Sequence, residues 1–479
     1  MMREAYDLPN ARNRREHGVS STGELRARMN KNDLETSSLH RTAAQKIESR
    51  QAIAAVIGLG YVGLPLAAAI ARAGFRTVGF DIDPAKVNQL NTGTSYIEAV
   101  PSECLADLIY QNKFRATSDE SELSQCDVVV ICVPTPLTKH REPDLTYIET
   151  TTRMIARYMR AGQLIVLEST TYPGTTEEVV KPILEGTGMR SGLDFFLAFS
   201  PEREDPGNPH FHTTTIPKVV AGDGPLASSV AKAFYSAVIE RIVLVSSPAT
   251  AEAVKITENI FRAVNIALVN ELKVIYDAMG IDVWEVIDAA ASKPFGYMPF
   301  YPGPGLGGHC IPIDPFYLTW KSREYGLATR FIELAGEINV AMPRYVISRL
   351  EQALDQHLSK SLGSSKILLV GLAYKKNVSD VRESPSLVLL NLLEKRGTQA
   401  DYHDPYVTEV PSTRDHAELA GRRSVNLTPE VIRSYDAILL ATDHDNLDYE
   451  MLYDHARLIL DTRNAFGKRG YRSNTIVKA

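Results

Sequence analysis

Cysteine is scarce in this sequence, with four residues among 479. None of them forms a CxxC pair or a Cys/His spacing typical of zinc ligands, and four thiols in so long a chain are too few for a disulfide scaffold. The sequence therefore predicts neither a structural metal nor a disulfide framework. It favours a reducing compartment, which we interpret as the cytoplasm.

A strong excess of one charge is also missing. The chain has 52 basic and 58 acidic residues, for a formal net charge of -6. This balance gives no electrostatic reason to expect a nucleic-acid partner. Hydrophobic residues make up 44% and charged residues 23%, as in ordinary globular proteins, and the length exceeds what one hydrophobic core supports. We expect two or three domains.

One uncharged stretch, residues 52–71, is long enough to be mistaken for a membrane span. Its glycines and Pro65 divide it into a short strand, a tight turn and the start of a helix, so we expect no membrane segment. Residues 1–48 mix both charge signs with polar residues and lack the apolar core of a signal peptide. They are predicted to form a mobile or loosely packed extension.

From residue 51 onward, apolar β-rich runs alternate with amphipathic helical runs, as in AIAAVIGLG, RTVGFDID, DVVVICVP, QLIVLEST and DFFLAFSP. This alternation predicts a parallel sheet that is covered by helices on both faces. Long helical patterns replace it from Pro248 to about Leu358. A second strand-and-helix unit begins at SKILLVGLAYK and finishes with DAILLATD and ARLILDTRN.

GLGYVG, residues 58–63, follows the first strand and opens a helix. In such a turn Gly58 makes the bend, Gly60 admits a pyrophosphate, and Gly63 packs the helix on the strand. Asp81 ends the next strand, where a carboxylate hydrogen-bonds a ribose 2′-hydroxyl and repels a 2′-phosphate. A glycine-rich turn without a ligand is the alternative, and Asp81 weighs against it. The sequence predicts NAD as the cofactor.

The predicted fold class is α/β, with two Rossmann-like doubly wound domains joined by a helical dimerisation region. The expected boundaries are a polar extension over 1–50, an NAD-binding domain over 51–245, a helical central domain over 246–358 and a second α/β domain over 359–479. Long helices with apolar faces that one Rossmann layer cannot cover predict a homodimer, or a higher homo-oligomer, through residues of about 250–345.

Polar loops follow the later strands of the first sheet, where ligands bind in doubly wound folds. They contain Thr135 after Pro134, Thr170 among neighbouring hydroxyls, and Glu202 with Arg203. We expect them to surround the nicotinamide and the group that it oxidises. Thr135 and Thr170 have the alternative of being simple helix caps. Tyr61, Val62, Pro134, Thr135 and Thr170 complete the cofactor site predicted from this domain.

The long central helix places Lys255 and Asn259 on one face, together with Arg262. A lysine and an amide side by side suit an oxyanion or another charged intermediate. A solvated helix face is the alternative, but the neighbours of these residues are apolar rather than acidic.

Cys310 lies in PGPGLGGHCIPIDPFYL, between paired glycines and a predicted helix that starts at Pro312 to Pro315. The glycines of this loop, Gly303, Gly305, Gly307 and Gly308, remove side chains from the approach to the sulfur. The positive end of the helix dipole would lower the pKa of the thiol. Cys104, Cys126 and Cys132 lie in apolar or amphipathic runs and are interpreted as small hydrophobic residues. Cys310 is therefore the candidate nucleophile, with a buried structural cysteine as the alternative.

The glycine fingerprint, the helical middle, the GGxC loop and GLAYKKNVSDVRES occur in this order along the chain. Together they resemble the UDP-glucose/GDP-mannose dehydrogenase family over about residues 51–470. PGPGLGGHCIPIDPFYLTW and SPEREDPGN look most like the branch that oxidises UDP-N-acetylglucosamine. The resemblance implies oxidation of a C6 alcohol to a carboxylate with two NAD, through a thiohemiacetal and a thioester on Cys310. Such uronic products usually enter surface polysaccharides.

The resemblance also implies roles for single residues. Cys310 would be the nucleophile, Lys255 and Asn259 would stabilise oxyanions, and Asp314 would help to activate the hydrolytic water. Glu202 and Thr135 would handle protons and water near the substrate. Three cations from the second α/β domain would reach the nucleotide-sugar, and Arg382 is also assigned to the cofactor side: Lys375, Arg382 and Arg463. The other expected substrate contacts are Arg203, Arg262 and Gly307.

One position departs from the pattern of the UDP-glucose enzymes, which commonly have a lysine where this chain has Ile313, directly before Asp314. We therefore expect an acetamido sugar, with UDP-N-acetylmannosamine, UDP-N-acetylgalactosamine and UDP-glucose as alternatives to UDP-N-acetylglucosamine. A β-hydroxyacid dehydrogenase would share the first domain and the helices, yet needs neither Cys310 nor a second nucleotide-binding unit. A non-catalytic NAD-binding protein is the third alternative, and the chain has every residue type that catalysis requires.

Overall fold

The computed structural model describes residues 31–138, 142–203, 213–308, 311–413 and 415–479, with side chains from residue 38 onward. Cys310 and His309 lie outside the described residues. Among the described residues, no helix has both the length and the apolar composition that crossing a membrane requires.

The first sheet has eight strands in the order β3-β2-β1-β4-β5-β6-β7-β8. They are β1 (Ile53–Ile57), β2 (Arg76–Phe80), β3 (Phe114–Thr117), β4 (Val128–Ile131), β5 (Leu164–Leu167), β6 (Phe196–Phe199), β7 (Lys218–Gly222) and β8 (Ile242–Leu244). The predicted parallel pairing is confirmed from β1 to β6. It is wrong between β6 and β7, which are antiparallel, because an apolar run carries no information about strand direction.

Helices cover both faces of this sheet. They are α1 (Lys31–Glu48), α2 (Gly63–Arg72), α3 (Pro84–Asn91), α4 (Ser102–Tyr110), α5 (Thr146–Tyr158), α6 (Lys181–Glu185) and α7 (Pro225–Ser236). Alternate residues of each strand enter opposite cores, so Val56 packs with the α2 and α7 side while Ile57 packs with the α5 side. Both cores consist mainly of Val, Ile, Leu, Ala and Phe.

The end of the N-terminal extension is packed, which corrects the expectation of a loose segment. Ala43 and Ile47 of α1 are buried in the first core. The ammonium of Lys46 lies 2.8 Å from Asp127. The low overall hydrophobicity of this segment concealed a short apolar face, which packs the last turns of the helix against the first core.

The central part consists of α8 (Pro248–Ala278), α9 (Val283–Ala291), α10 (Asp314–Glu324) and α11 (Arg330–Leu358). Helix α8 packs against both α10 and α11. The predicted helix after the cysteine loop is confirmed, with Pro315 in its first turn, where the missing amide proton costs nothing.

The second sheet is parallel throughout, in the order β10-β9-β11-β12-β13. Its strands are β9 (Lys366–Val370), β10 (Gln399–His403), β11 (Ala437–Leu440), β12 (Ile459–Asp461) and β13 (Ile476–Lys478). Helices α12 (Pro385–Lys395), α13 (Pro429–Arg433), α14 (Tyr449–His455) and α15 (Ala465–Lys468) accompany it. The architecture is the predicted pair of doubly wound units around a helical centre.

Candidate active site

The glycine turn between β1 and α2 has the geometry that a dinucleotide needs. Gly58 has φ +92°, and a side chain there would collide with the carbonyl oxygen of Cys132. A side chain at Gly63 would collide with the carbonyl of Gly58, so the helix start lies directly on the turn. No atom lies within 4 Å of the Cβ position at Gly60, which leaves open space beside the turn. The turn therefore fits a pyrophosphate at the start of α2.

Asp81 is fixed beside this turn. One carboxylate oxygen accepts a 3.0 Å hydrogen bond from the amide of Leu59, and the other accepts one of 3.0 Å from the amide of Asp83. Each oxygen keeps a further lone pair, so these bonds orient the carboxylate without occupying it fully. The ribose contact stays a prediction, for which this carboxylate keeps acceptor capacity.

Arg382 joins the two α/β domains at the cofactor turn. Its guanidinium lies over the ring of Tyr61, with 4.5 Å from Cζ to the ring centroid. Asp380 holds the guanidinium, because its Oδ2 accepts hydrogen bonds of 3.0 Å from Nε and 2.6 Å from Nη2 of Arg382. A second link is the 3.2 Å bond from Ser379 to Glu98. A cation of the second domain thus lies at the glycine turn of the first.

Lys255, Asn259 and Asp314 form one buried cluster between α8 and α10. The amide of Asn259 donates a 2.5 Å hydrogen bond to Asp314 Oδ2. Burial raises the pKa of Asp314 to about 7, although Lys255 and Asn259 both oppose the rise. The alternative of a solvated helix face is wrong for Lys255 and Asn259, since 7% and 2% of their surfaces are exposed. A carboxyl group that is half ionised at neutral pH can accept a proton there.

Arg262 and Arg203 do not join this cluster. Arg262 lies further along α8 and is exposed. Arg203 is bound to Glu258 by a 2.6 Å ion pair and donates a 2.6 Å bond to the carbonyl of Pro217. Helical spacing placed Arg262 near the face of Asn259, but its side chain lies outside the buried stripe of α8.

The strand-end residues lie at the predicted edge of the first sheet. Thr135 is buried, and its carbonyl accepts a 2.8 Å bond from the hydroxyl of Tyr317 on α10. Neither Thr135 nor Thr170 caps a described helix, so that alternative is not supported. Glu202 is 9% exposed, and its Oε2 lies 3.6 Å from the ammonium of Lys218. Pro134 directly precedes Thr135 in the same loop.

The described part of the cysteine loop is hydrogen-bonded to helix α8 and to the second α/β domain. The amide of Gly303 donates a 3.0 Å bond to Asn270 on α8, and that of Gly308 donates a 3.0 Å bond to the carbonyl of Arg382. Asn270 in turn donates to Asn339 on α11 at 2.9 Å. Sequence reasoning missed both asparagines, because two amides far apart in the chain carry no motif.

The glycines of the cysteine loop have a packing role that the sequence interpretation did not include. A side chain on Gly307 or Gly308 would collide with Tyr374. One on Gly303 would collide with the guanidinium of Arg463. These glycines allow the loop to approach the second α/β domain closely. The expected approach to the sulfur of Cys310 stays a prediction, because Cys310 lies outside the described residues. Gly305, with φ +140°, likewise lies against Pro385 and Pro343, as the close neighbours of its Cβ position show.

The cations expected at the nucleotide-sugar lie at the carboxyl edge of the second sheet. Lys375 is half-buried in the loop after β9. Arg463 follows β12, and its Nε donates a 2.9 Å bond to the carbonyl of Ala441. Burial lowers the pKa of Arg463. Their common edge meets the cysteine loop at Gly303.

Glu252 is a further polar residue that the sequence interpretation missed. Its buried carboxylate accepts bonds from the amides of Gly174 at 2.5 Å and Thr176 at 2.9 Å, and from the Thr176 hydroxyl at 2.7 Å. Burial raises its pKa to about 7. Glu252 thus ties α8 to the loop that carries Thr170. Its place one turn before Lys255 on α8 was the signal available in the sequence.

The other three cysteines lie in or against the hydrophobic cores of the first domain. Cys126 is buried, and burial raises the pKa of its thiol to about 12. Cys132 packs against the first core, and Cys104 lies against it near Arg72.

Two nucleotide-binding sheets, a buried Lys-Asn-Asp cluster and a cysteine loop between them define an NAD-dependent dehydrogenase that acts on a nucleotide-linked substrate. Models of the UDP-glucose/GDP-mannose dehydrogenase family match the chain in three parts: the NAD binding domain at residues 52–239, the central domain at 249–341 and the UDP binding domain at 368–468.

Several curated and solved proteins are similar over most of the chain. A UDP-N-acetyl-D-glucosamine 6-dehydrogenase of Pseudomonas aeruginosa is 36% identical over 81% of this chain and 90% of its own. An NDP-N-acetyl-D-galactosaminuronic acid dehydrogenase of Ralstonia solanacearum is 33% identical, covering 86% and 96%. A solved UDP-D-ManNAc dehydrogenase of Pyrococcus horikoshii has a TM-score of 0.79 and 32% identity, covering 89% and 98%.

The chain belongs to the UDP-glucose/GDP-mannose dehydrogenase family. It is an NAD-dependent nucleotide-sugar 6-dehydrogenase. The names of its relatives at 33–36% identity differ in the sugar. These relatives act on three different acetamido sugars. Membership excludes the β-hydroxyacid and non-catalytic alternatives.

Proposed function

We propose that this enzyme oxidises UDP-N-acetylglucosamine to UDP-N-acetylglucosaminuronate with two NAD. The observation that carries the proposal is the buried Lys255–Asn259–Asp314 cluster beside the cysteine loop, where the two nucleotide-binding domains meet. The choice of sugar is supported by Ile313, by the two motifs in the first and central domains, and by the 36% identical relative. UDP-N-acetylmannosamine and UDP-N-acetylgalactosamine are the alternatives, since relatives for both kinds of sugar are nearly as similar.

Bound NAD⁺ supplies the hydride acceptor for both oxidations. In the first, the C6 hydroxyl loses its proton and C6 loses a hydride, which gives an aldehyde. The Cys310 thiolate then adds to C6 and forms a thiohemiacetal, so the aldehyde stays bound. After a second hydride leaves C6, the carbon is held as a thioester. Water adds to it, the thiolate leaves, and the carboxylate product remains.

The residues of the chain divide this work. The Lys255 ammonium and the Asn259 amide stabilise the negative oxygen that forms on C6 each time sulfur or water adds. Asp314 accepts a proton from the attacking water, for which a pKa of about 7 suits neutral conditions. Glu202 takes part in proton and water handling at the edge of the first sheet. Lys375 and Arg463 bind the diphosphate from the second domain.

A substrate panel tests the proposal. Pure protein is incubated with NAD and, separately, with UDP-N-acetylglucosamine, its manno and galacto epimers, and UDP-glucose, while NADH per sugar is counted. We expect two NADH per sugar and at least about a tenfold preference in kcat/KM over UDP-glucose, or roughly 1.4 kcal/mol. Equal turnover of UDP-glucose would contradict the proposal. Preference for another epimer would move the enzyme to a sister branch with the same chemistry.

We also propose that the active form is a homodimer, or a higher homo-oligomer, in the cytoplasm. Phe261, Leu268 and Ile275 are exposed at seven-residue spacing, which places them on one stripe of α8. Phe331, Leu334 and Val340 of α11 are exposed as well. We call these six residues the helical apolar face. A second copy of the chain is its proposed occupant, because an apolar surface of this extent is rare on a free monomer.

A further inference from the structure

Glu168, Lys218 and Glu202 form a row of buried charges that is separate from the Lys255–Asn259–Asp314 cluster. Lys218 lies between two carboxylates, 2.8 Å from Glu168 Oε2 and 3.6 Å from Glu202 Oε2. The hydroxyl of Tyr235 donates to the other oxygen of Glu168. Glu168 is 1% exposed, Lys218 5% and Tyr235 0%. Charges this deep in a core are rare unless paired, so the row requires an explanation.

The reversal of strand direction brings Lys218 to this place. Lys218 is the first residue of β7, the strand that runs antiparallel to β6. The register pairs Phe199 with Ala221, so the chain beyond β6 runs alongside the start of β7 and reaches Glu202 next to Lys218. A parallel strand would have started at the opposite edge of the sheet. The antiparallel strand therefore delivers an ammonium to the edge where ligands bind.

The row holds two carboxylates and one ammonium, so the carboxylates compete. Burial works against the Lys218 ammonium, but Glu168 and Glu202 outweigh it and hold the pKa of Lys218 above its ordinary value. Burial raises the pKa of Glu168, and Lys218 opposes that rise. The shorter contact is the one to Glu168. Glu202 thus receives only part of the attraction of the ammonium, and Glu168 sets how much.

We propose that Lys218 is a positioning residue for Glu202, whose carboxylate it attracts and orients from 3.6 Å, and that Glu168 limits this effect by binding the same ammonium at 2.8 Å. The inference rests on the proposed function insofar as it concerns the part of Glu202 in catalysis. Among the described residues, the charged groups recorded near this carboxylate include Lys218 of β7 and Glu168 after β5, while Tyr235 of α7 and Cys132 after β4 act on Lys218 and Glu168.

Two substitutions are expected to act in opposite directions. Glu168→Gln frees the ammonium for Glu202, so the acidic limb of the rate–pH profile moves to lower pH. Lys218→Met removes the cation, so that limb moves to higher pH by about 1 to 3 units. Because Lys218→Met leaves Glu168 buried without a cation, the double variant Glu168→Gln/Lys218→Met is included. It removes both charges, and its limb also moves to higher pH. Lys218→Arg is expected to restore the wild-type profile in part.

The experiment uses the full chain and two readouts. One is kcat against pH with the preferred sugar of the substrate panel. The other is infrared titration of the carboxyl of Glu202, taken as the difference between each background and the same background carrying Glu202→Gln. Lys181→Met, which removes a surface ion pair with Asp223, is the control and shifts neither readout. Circular dichroism confirms the fold of every variant.

Opposite shifts in both readouts support the inference. Equal shifts in Glu168→Gln and the double variant, or shifts no larger than the Lys181→Met control, overturn it. The infrared titration requires no sugar. A wild-type enzyme that forms no NADH with any sugar of the panel therefore refutes the proposed function, while the titration still decides the arrangement of Lys218.

Discussion

Asp314→Asn is expected to make the protein more stable and nearly inactive at once. In the folded protein the carboxyl of Asp314 holds its proton up to about pH 7, whereas the ordinary value for an exposed aspartate is 3.8. The folded state thus binds more protons than the unfolded state between these values. Stability contributed by this group is therefore lost as pH rises from about 4 to 7, and the loss is complete above pH 7.

The size of the effect follows from this shift. From pH 5 to pH 7 the Asp314 carboxyl is ionised in the unfolded state, whereas in the folded state it is still releasing its proton. Two pH units at about 1.36 kcal/mol each give about 2 to 3 kcal/mol. Asparagine has no such titration and can still accept the hydrogen bond of Asn259. The stability of Asp314→Asn relative to wild type should therefore rise by about 2 to 3 kcal/mol between pH 5 and pH 8.

Urea unfolding at pH 5 and pH 8 measures this difference, and uronate formation measures the loss of turnover, about 10²- to 10⁴-fold for a lost acid–base group. Asp436→Asn is the matched control. Hydrogen bonds from Lys360 and the Lys366 amide outweigh burial and lower the pKa of Asp436, so this group is ionised in both states at pH 5 and pH 8. Its substitution should cost the same at both values. A stability gap for Asp314→Asn that does not change with pH refutes the reasoning.

Three further predictions concern the cofactor, the nucleophile and the assembly. Asp81→Ala should weaken the binding of NAD by about 1 to 3 kcal/mol and reduce the preference of the enzyme for NAD over NADP. The ratio of kcat/KM for the two cofactors measures this preference, and an unchanged ratio would show that Asp81 does not contact the cofactor. Cys310→Ser should still bind NAD and UDP-sugar in calorimetry but lose turnover by several orders of magnitude; near-normal two-step turnover contradicts covalent capture. Light scattering should give at least twice the 52.9 kDa chain mass. Leu268→Glu should lower that mass and Tyr110→Glu, on an exposed site elsewhere, should not; a fully active monomer contradicts the dimer.

The features that the sequence predicts well are those set by local spacing. The glycine turn needs a bend, an opening and a close approach within six residues, and Gly58, Gly60 and Gly63 supply each in the expected place. Lys255 and Asn259 share a face because four residues make about one turn of helix. Both arrangements follow from local backbone geometry, so they do not depend on contacts between distant segments.

The features that escaped prediction depend on pairing between distant segments. The contact of Lys218 with Glu202 requires the direction of β7, which an apolar strand does not encode. The ion pair of Arg203 with Glu258 joins a loop to a helix 55 residues away. The packed face of α1 rests on side chains such as Ile47, whose partners lie in other helices. Register and packing of this kind are decided by the assembled core.

Helix α8 explains how the separate parts of the site hold one geometry. Its buried polar residues form a stripe from Glu252 through Lys255, Asn259 and Asn270 to Lys273, on a helix that otherwise buries mainly alanine, valine and isoleucine. Two members of the stripe bind different loops: Glu252 holds the loop after β5, and Asn270 holds the cysteine loop at Gly303. A buried polar group that loses its partner costs about 1 to 3 kcal/mol, so these loops cannot shift independently of the helix. One helix therefore sets the distance between the loop after β5, the Lys255–Asn259–Asp314 cluster and the cysteine loop, and the two hydride transfers that we propose at one carbon require such a fixed geometry.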